Sequence, residues 1–185
     1  GNMSASEYLF EMGNTKIASK LGFSGHETFP FRYGWWKKAV DAVLVDPFIL
    51  SRDSAIVELG VGRNMVQSIR HWGLATQILQ EGDSRALTPT GFGRELFEKW
   101  DPFLEDPASL WLIHYHLVSM PSKAATWHYV FNRFRGHEFS KRNLLSHLQD
   151  LIAQSAIKVR ESSLQRDIDC FIRCYTSSTR KPEFI

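Results

Sequence analysis

From residue 33 onward, apolar and polar positions follow one another at a helical period. Trp36, Ala39, Val40, Val43 and Leu44 recur at three- and four-residue steps, with Lys37, Lys38 and Asp41 on the other face. This spacing predicts a first helix, which Pro47 must end. Asp53 is a suitable N-cap for a second helix from Ser54 to Leu59, and Gly60, Val61 and Gly62 form a tight turn after it. A third helix is expected over residues 63–74. The period then shortens. Ile78 and Leu79 read as a short strand, residues 82–84 as a turn and residues 85–88 as the return strand. Thr88 and Pro89 are expected to open the next helix as cap and first residue, and Phe92, Leu96, Phe97 and Trp100 form its apolar face.

The flanks are less regular. Residues 1–22 read as an arm with a small apolar group at Tyr8, Leu9 and Phe10. Residues 23–32, FSGHETFPFR, contain three Phe, and Pro30 excludes a helix interior, so a strand or ordered loop is expected. The proline- and acid-rich stretch 101–107, DPFLEDP, reads as a linker. Four helical patterns follow at about 107–119, 123–135, 141–155 and 162–176, with Ser140 and Ser162 as candidate N-caps. The predicted fold class is mainly α: a winged helix-turn-helix with a small two-stranded β wing, followed by a C-terminal helical bundle. The corresponding boundaries are an arm over 1–22, the winged helix over 23–100, the helical domain over 107–176 and a tail over 177–185.

Residues 58–79, ELGVGRNMVQSIRHWGLATQIL, carry the functional argument. A helix-turn-helix must bury Ile56, Leu59 and Val61 against Val66 and Ile69, and the spacing of these five permits it. The second helix would then expose Arg63, Asn64, Gln67, Ser68, Arg70 and His71. Arginine can pair with guanine, Asn or Gln with adenine, and Ser can hold a phosphate. Arg85 falls on the wing, where a phosphate or minor-groove contact is expected. The stretch resembles the winged helix-turn-helix of bacterial transcription regulators, although Gly62 stands where such helices usually carry a Ser or Thr cap.

Several blocks together resemble a bacterial family known as domain of unknown function 4007: FSGHETFPFRYGWWKKAVDAV, AIVELGVGRNMVQSIRHWG, LTPTG, DPFLEDPASLWLIHYHL and RDIDCFIRCY. The resemblance covers roughly residues 23–175. It implies an accessory role in DNA sulfur modification or phage defence, beside sulfotransferase-like or phosphoadenosine-phosphosulfate-reductase-like proteins. Members of that family tend to be longer, so the resemblance also implies that this chain covers an N-terminal part.

Composition narrows the alternatives. A net charge of +2 does not by itself imply nucleic acid, so the DNA reading depends on where the cations lie. No apolar run is long enough for a membrane span. Cys170 and Cys174, the only cysteines, fall one helical turn apart, where a disulfide would constrain almost nothing; two free thiols in a reducing, cytoplasmic setting are expected. His114 and His116 point to different sides of a helix and cannot share a metal, so neither metal nor cofactor is expected. His26 and Glu27 are expected to form a polar pair that pins an aromatic loop onto the first helix, with Arg32; partner or ligand contact by these three is the alternative. No nucleophile and base are visibly paired, which points away from an enzyme. The aromatic pairs Trp35 with Trp36 and Trp111 with Tyr115 are expected in the core rather than as base-stacking platforms. Arg133, Arg135, Lys141 and Arg142 form a candidate second basic patch around Gly136. The leading expectation is a double-stranded DNA-binding protein. The alternative is an adaptor whose winged helix docks onto a partner enzyme without touching DNA.

Overall fold

A computed structural model describes residues 21–135 and 139–176. The expectations for residues 1–20, Gly136 and the tail from 177 lie outside the described residues. Helix α1 (Tyr33–Val45) turns Trp35, Trp36, Ala39, Val40 and Val43 inward. A single 3-10 turn (Ile49–Ser51) leads to α2 (Ala55–Leu59). Gly60 closes α2 in the left-handed region at φ 66°, and α3 (Arg63–Ala75) follows from Gly62 without a side-chain cap. Asp53 does not cap α2; it forms an ion pair with Arg63 instead.

Strands β1 (Leu79–Glu81) and β2 (Leu87–Pro89) pair antiparallel, with Gln80 opposite Thr88. The helix after the hairpin starts two residues later than Thr88 and Pro89 suggest. Pro89 ends β2, Thr90 is the N-cap and its Oγ1 accepts from the Gly93 N–H at 3.0 Å. Helix α4 (Gly91–Arg94) continues as a wider π-helical stretch over Glu95–Trp100. Gly93 is required here, because a Cβ at this position would lie 2.3 Å from the Ile78 carbonyl oxygen. The order helix, tight turn, helix, hairpin, helix is that of a winged helix.

Four further helices follow the Asp101 turn: α5 (Pro107–Val118), α6 (Ala125–Asn132), α7 (Lys141–Ala153) and α8 (Glu161–Thr176). Asp101 is buried and accepts from the N–H groups of Glu105 and Asp106, so the expected linker is an ordered turn. Ser140 caps α7, whereas α8 begins before Ser162. One hydrophobic core runs through both parts. Trp72 of α3 lies at its centre, 5.2 Å from the rings of both Phe31 and Trp127, and Trp127 packs on Phe171. Large aromatic side chains contribute most of such a core's stability. No helix among the described residues is long and apolar enough to cross a membrane.

Candidate nucleic-acid interface

Helix α3 buries Val66, Ile69, Trp72, Leu74 and Ala75 and leaves Arg63, Asn64 and Gln67 on the surface. Leu59 is buried with them; Ile56 and Val61 are half-buried at the rim. Arg63 Nη2 lies 3.0 Å from Asp53 Oδ1 in an exposed pair. Such pairs contribute about 0–1 kcal/mol and exchange readily for another anion.

Two of the expected surface residues are not on the surface. Ser68 is fully buried and His71 is buried. Segment 23–32 covers them: the Phe29 carbonyl accepts from Ser68 Oγ at 3.5 Å and from Trp72 Nε1 at 3.0 Å. His71 lies against Gly25. Burial, with help from the charges of His26, Lys123 and Arg70, pushes the His71 pKa down to about 3, so the ring is neutral. Neither side chain can reach a base. Helical period alone cannot register a cover supplied by a distant loop.

The wing carries its own counter-charge. Glu81 at the end of β1 pairs with Arg70 and lies 3.7 Å from Arg85 Nε. Arg70 is half-buried, and burial together with the charge of Arg85 lowers its pKa. Arg85 is exposed and left-handed at φ 64°, where the Gly82 carbonyl accepts its N–H and closes the turn. A non-glycine residue held there costs on the order of 1 kcal/mol, a strain often found at functional positions.

His26 does not pair with Glu27. Its Nε2 donates to Asp167 Oδ1 on α8 at 2.8 Å, and in the neutral ring its Nδ1 accepts from the Thr28 N–H at 3.0 Å. Asp167, also buried, accepts from the Ser24 N–H at 2.8 Å and from Thr126 Oγ1 at 2.5 Å. Burial opposes charge on the His26 ring, but the hydrogen bonds with Asp167 and Cys170 outweigh it and raise the pKa to about 9. Glu27 and Arg32 are exposed. The loop is thus pinned to the last helix rather than to the first. Asp167 could have been suspected from the sequence: it falls in the apolar stripe Leu164, Ile168 and Phe171 and therefore needs a buried partner.

In the second patch, Arg135 and Arg142 are exposed, Arg133 is half-buried and Lys141 Nζ pairs with Asp169 Oδ1 at 2.6 Å. Cys170 is buried and Cys174 half-buried, both free. His116 stacks on Phe92 and His114 lies among Trp111, Phe131 and Tyr175. Among the described residues, no group of three or more His, Cys, Asp or Glu side chains could hold a metal ion. Trp35 and Trp36 are in the core as expected, whereas Trp111 is 71% and Tyr115 64% exposed. Helix α5 buries only Ser109, Ile113, Leu117 and Val118, so its aromatic stripe faces outward.

Residues 23–184 match the family described as protein of unknown function DUF4007. The chain belongs to that family. This DUF4007 chain is also similar to two solved structures of SspB. A magnesium ion-bound SspB crystal structure shares 31% identity at a TM-score of 0.76, covering 86% of this chain and 51% of that one. A second SspB crystal structure shares 30% identity at a TM-score of 0.76, covering 92% and 55%. The chain therefore spans about half the length of the SspB chains it matches. A search of curated proteins gave no match.

Proposed function

We propose that this DUF4007 chain is a DNA-binding accessory protein of a sulfur-related DNA-modification or phage-defence system, acting by binding rather than by catalysis. The observation that carries the reading is the helix–turn–helix–hairpin unit, with Arg63, Asn64 and Gln67 exposed along one edge of α3 and a strained Arg85 at the wing tip. Arg63 and Gln67 have the donors that read base edges, and Arg85 is placed for a phosphate. The likeness to SspB over most of the chain supports a role in a multi-protein modification system. A reductase-like enzyme of the phosphoadenosine-phosphosulfate type is the partner that the family resemblance favours.

Phosphate contacts by Arg63, Arg85, Arg135 and Arg142 would release about four counterions. The logarithm of the duplex association constant should therefore fall against the logarithm of salt with a slope of about −3 to −4. Titrating labelled duplex DNA at several salt concentrations measures this slope. The double variant Arg63→Ala, Gln67→Ala should weaken binding by about 1–3 kcal/mol. If folded protein binds no duplex even near ~50 mM salt, where phosphate contacts are strongest, duplex binding through α3 and the wing is refuted. The adaptor reading then stands; its signature is weak salt dependence and a negative heat-capacity change with a protein partner.

A further inference from the structure

Helix α5 is apolar on nearly every side, a pattern that normally belongs to a helix buried all round. Here Trp111 and Tyr115, one turn apart, stand out from the surface. Trp111 heads a continuous row of rings, and Tyr115 stands beside it on the same face of α5, against His116 at 5.6 Å. Trp111 lies 6.0 Å from His114, His114 4.4 Å from Phe131, and Phe131 5.2 Å from Tyr175. Phe131 and Tyr175 are also exposed, and the Tyr175 hydroxyl is 3.1 Å from His114 Nδ1. The row thus joins α5, α6 and α8.

Charge identifies what this row suits. Residues 107–137, which supply Trp111, Tyr115 and Phe131, contain no Asp or Glu but include Lys123, Arg133 and Arg135. Lys123 and Arg135 are exposed. Burial lowers the pKa of His114, leaving the ring a neutral aromatic surface at neutral pH. The fourth ring, Tyr175, comes from α8, whose exposed Asp169 is paired with Lys141. Exposed aromatic rings on a stretch whose charged side chains are cations are the chemistry that holds single strands: bases stack on the rings and phosphates meet the cations.

We infer that the exposed row around Trp111, Tyr115, Phe131 and Tyr175 binds the unpaired bases of single-stranded DNA. The inference deepens the DNA-binding reading above and rests on it, but its rings belong to α5, α6 and α8 rather than to α3 and the wing; Arg135 is the one cation counted for both. Duplex would engage α3, while an unpaired stretch, as at a gap or an opened site, would lie on the aromatic row.

The test compares a fluorescein-labelled oligo-dT of about 20 nucleotides with a duplex of the same length, each titrated by anisotropy at low salt. Two stacking rings lost in Trp111→Ala, Tyr115→Ala should weaken oligo-dT binding at least about tenfold. Duplex affinity should change by less than about twofold, since neither ring belongs to the phosphate-contacting set. Both side chains are exposed, so the melting temperature should be retained. Oligo-dT should quench the tryptophan emission of the wild type, and Trp111→Ala should remove most of that quenching, because Trp35, Trp36, Trp72 and Trp127 are buried and the other exposed tryptophan, Trp100, follows the wing rather than joining the row; Trp100→Phe should leave the quenching in place. Equal oligo-dT affinity in wild type and double variant overturns the inference. So does the absence of oligo-dT binding by folded wild type. Conversion of a dimer to a monomer by the double variant in sedimentation also overturns it, since a second copy would then cover the row. Loss of duplex binding with oligo-dT binding intact would instead refute the α3 reading alone.

Discussion

Replacing His26 with Ala removes the group that pins segment 23–32 to α8. The ring is 1% exposed and its Nε2 holds Asp167 Oδ1. Without it, Asp167 keeps only the Ser24 N–H and the Thr126 hydroxyl, and a buried carboxylate loses its one cationic partner. Removing one member of a buried pair typically costs about 3–5 kcal/mol, a large fraction of a domain's ~5–15 kcal/mol. A pH arm sharpens the test. The folded chain holds the His26 proton more tightly than the unfolded chain does, with a pKa of about 9 against the ordinary 6.5. That contribution is complete below pH 6.5 and is lost as pH rises through about 9. The interval corresponds to at most about 3–4 kcal/mol. The Thr28 N–H points at Nδ1, which carries a second proton once the ring is charged, so part of this is returned and about 2 kcal/mol is expected. Urea unfolding at pH 6.5, 8 and about 9.5 measures it in wild type and in His26→Ala. The wild type should weaken across the series, and the variant should be less stable and flatter. A wild-type stability that stays level across the series would show the ring to be neutral. A loss below about 1 kcal/mol in His26→Ala would refute the pinning itself.

Two further outcomes follow from neighbouring groups. His71 is held neutral to about pH 3 while the unfolded chain charges it below 6.5, so stability should fall as pH drops from 6.5 towards 3; His71→Phe, followed by urea unfolding, should flatten that acid limb. Glu81→Gln should free Arg70, which is not among the four cations counted above, tighten duplex binding and steepen its salt slope by up to about one; an unchanged slope would show that the freed Arg70 meets no phosphate.

Local chemistry made the elements readable. The positions of α1, α2, α3 and the hairpin follow from apolar spacing and from glycine and proline, because these features act within a few residues. The later helices were legible for the same reason, and the Ser140 cap with them. Contacts between distant segments were not. Nothing local to α3 marks Ser68 and His71 as covered, because their cover is a loop about forty residues earlier in the chain. His26 advertised a need for a polar partner, but Glu27 was the neighbour in sequence and Asp167 the neighbour in space. Trp111 and Tyr115 failed in the opposite sense: their apolarity suggested core, yet α5 already fills its inward side with Ile113, Leu117 and Val118.

The pinned loop also relates the two proposed DNA surfaces to each other. Phe29 anchors its middle to α3 through Ser68 and Trp72, and so fixes which edge of that helix remains open. Two residues on, Phe31 touches Trp72 at 5.2 Å and Tyr175, at the end of the aromatic row, at 6.5 Å. His26 ties the start of the same segment to α8, the helix that carries Tyr175. A shift of residues 26–31 would therefore disturb the seating of α3 and the end of the row together, because close-packed side chains transmit displacement rather than absorb it. Duplex on α3 and unpaired bases on the row would be held in a fixed relation by this segment, the geometry needed by a protein that contacts DNA where paired and unpaired regions meet.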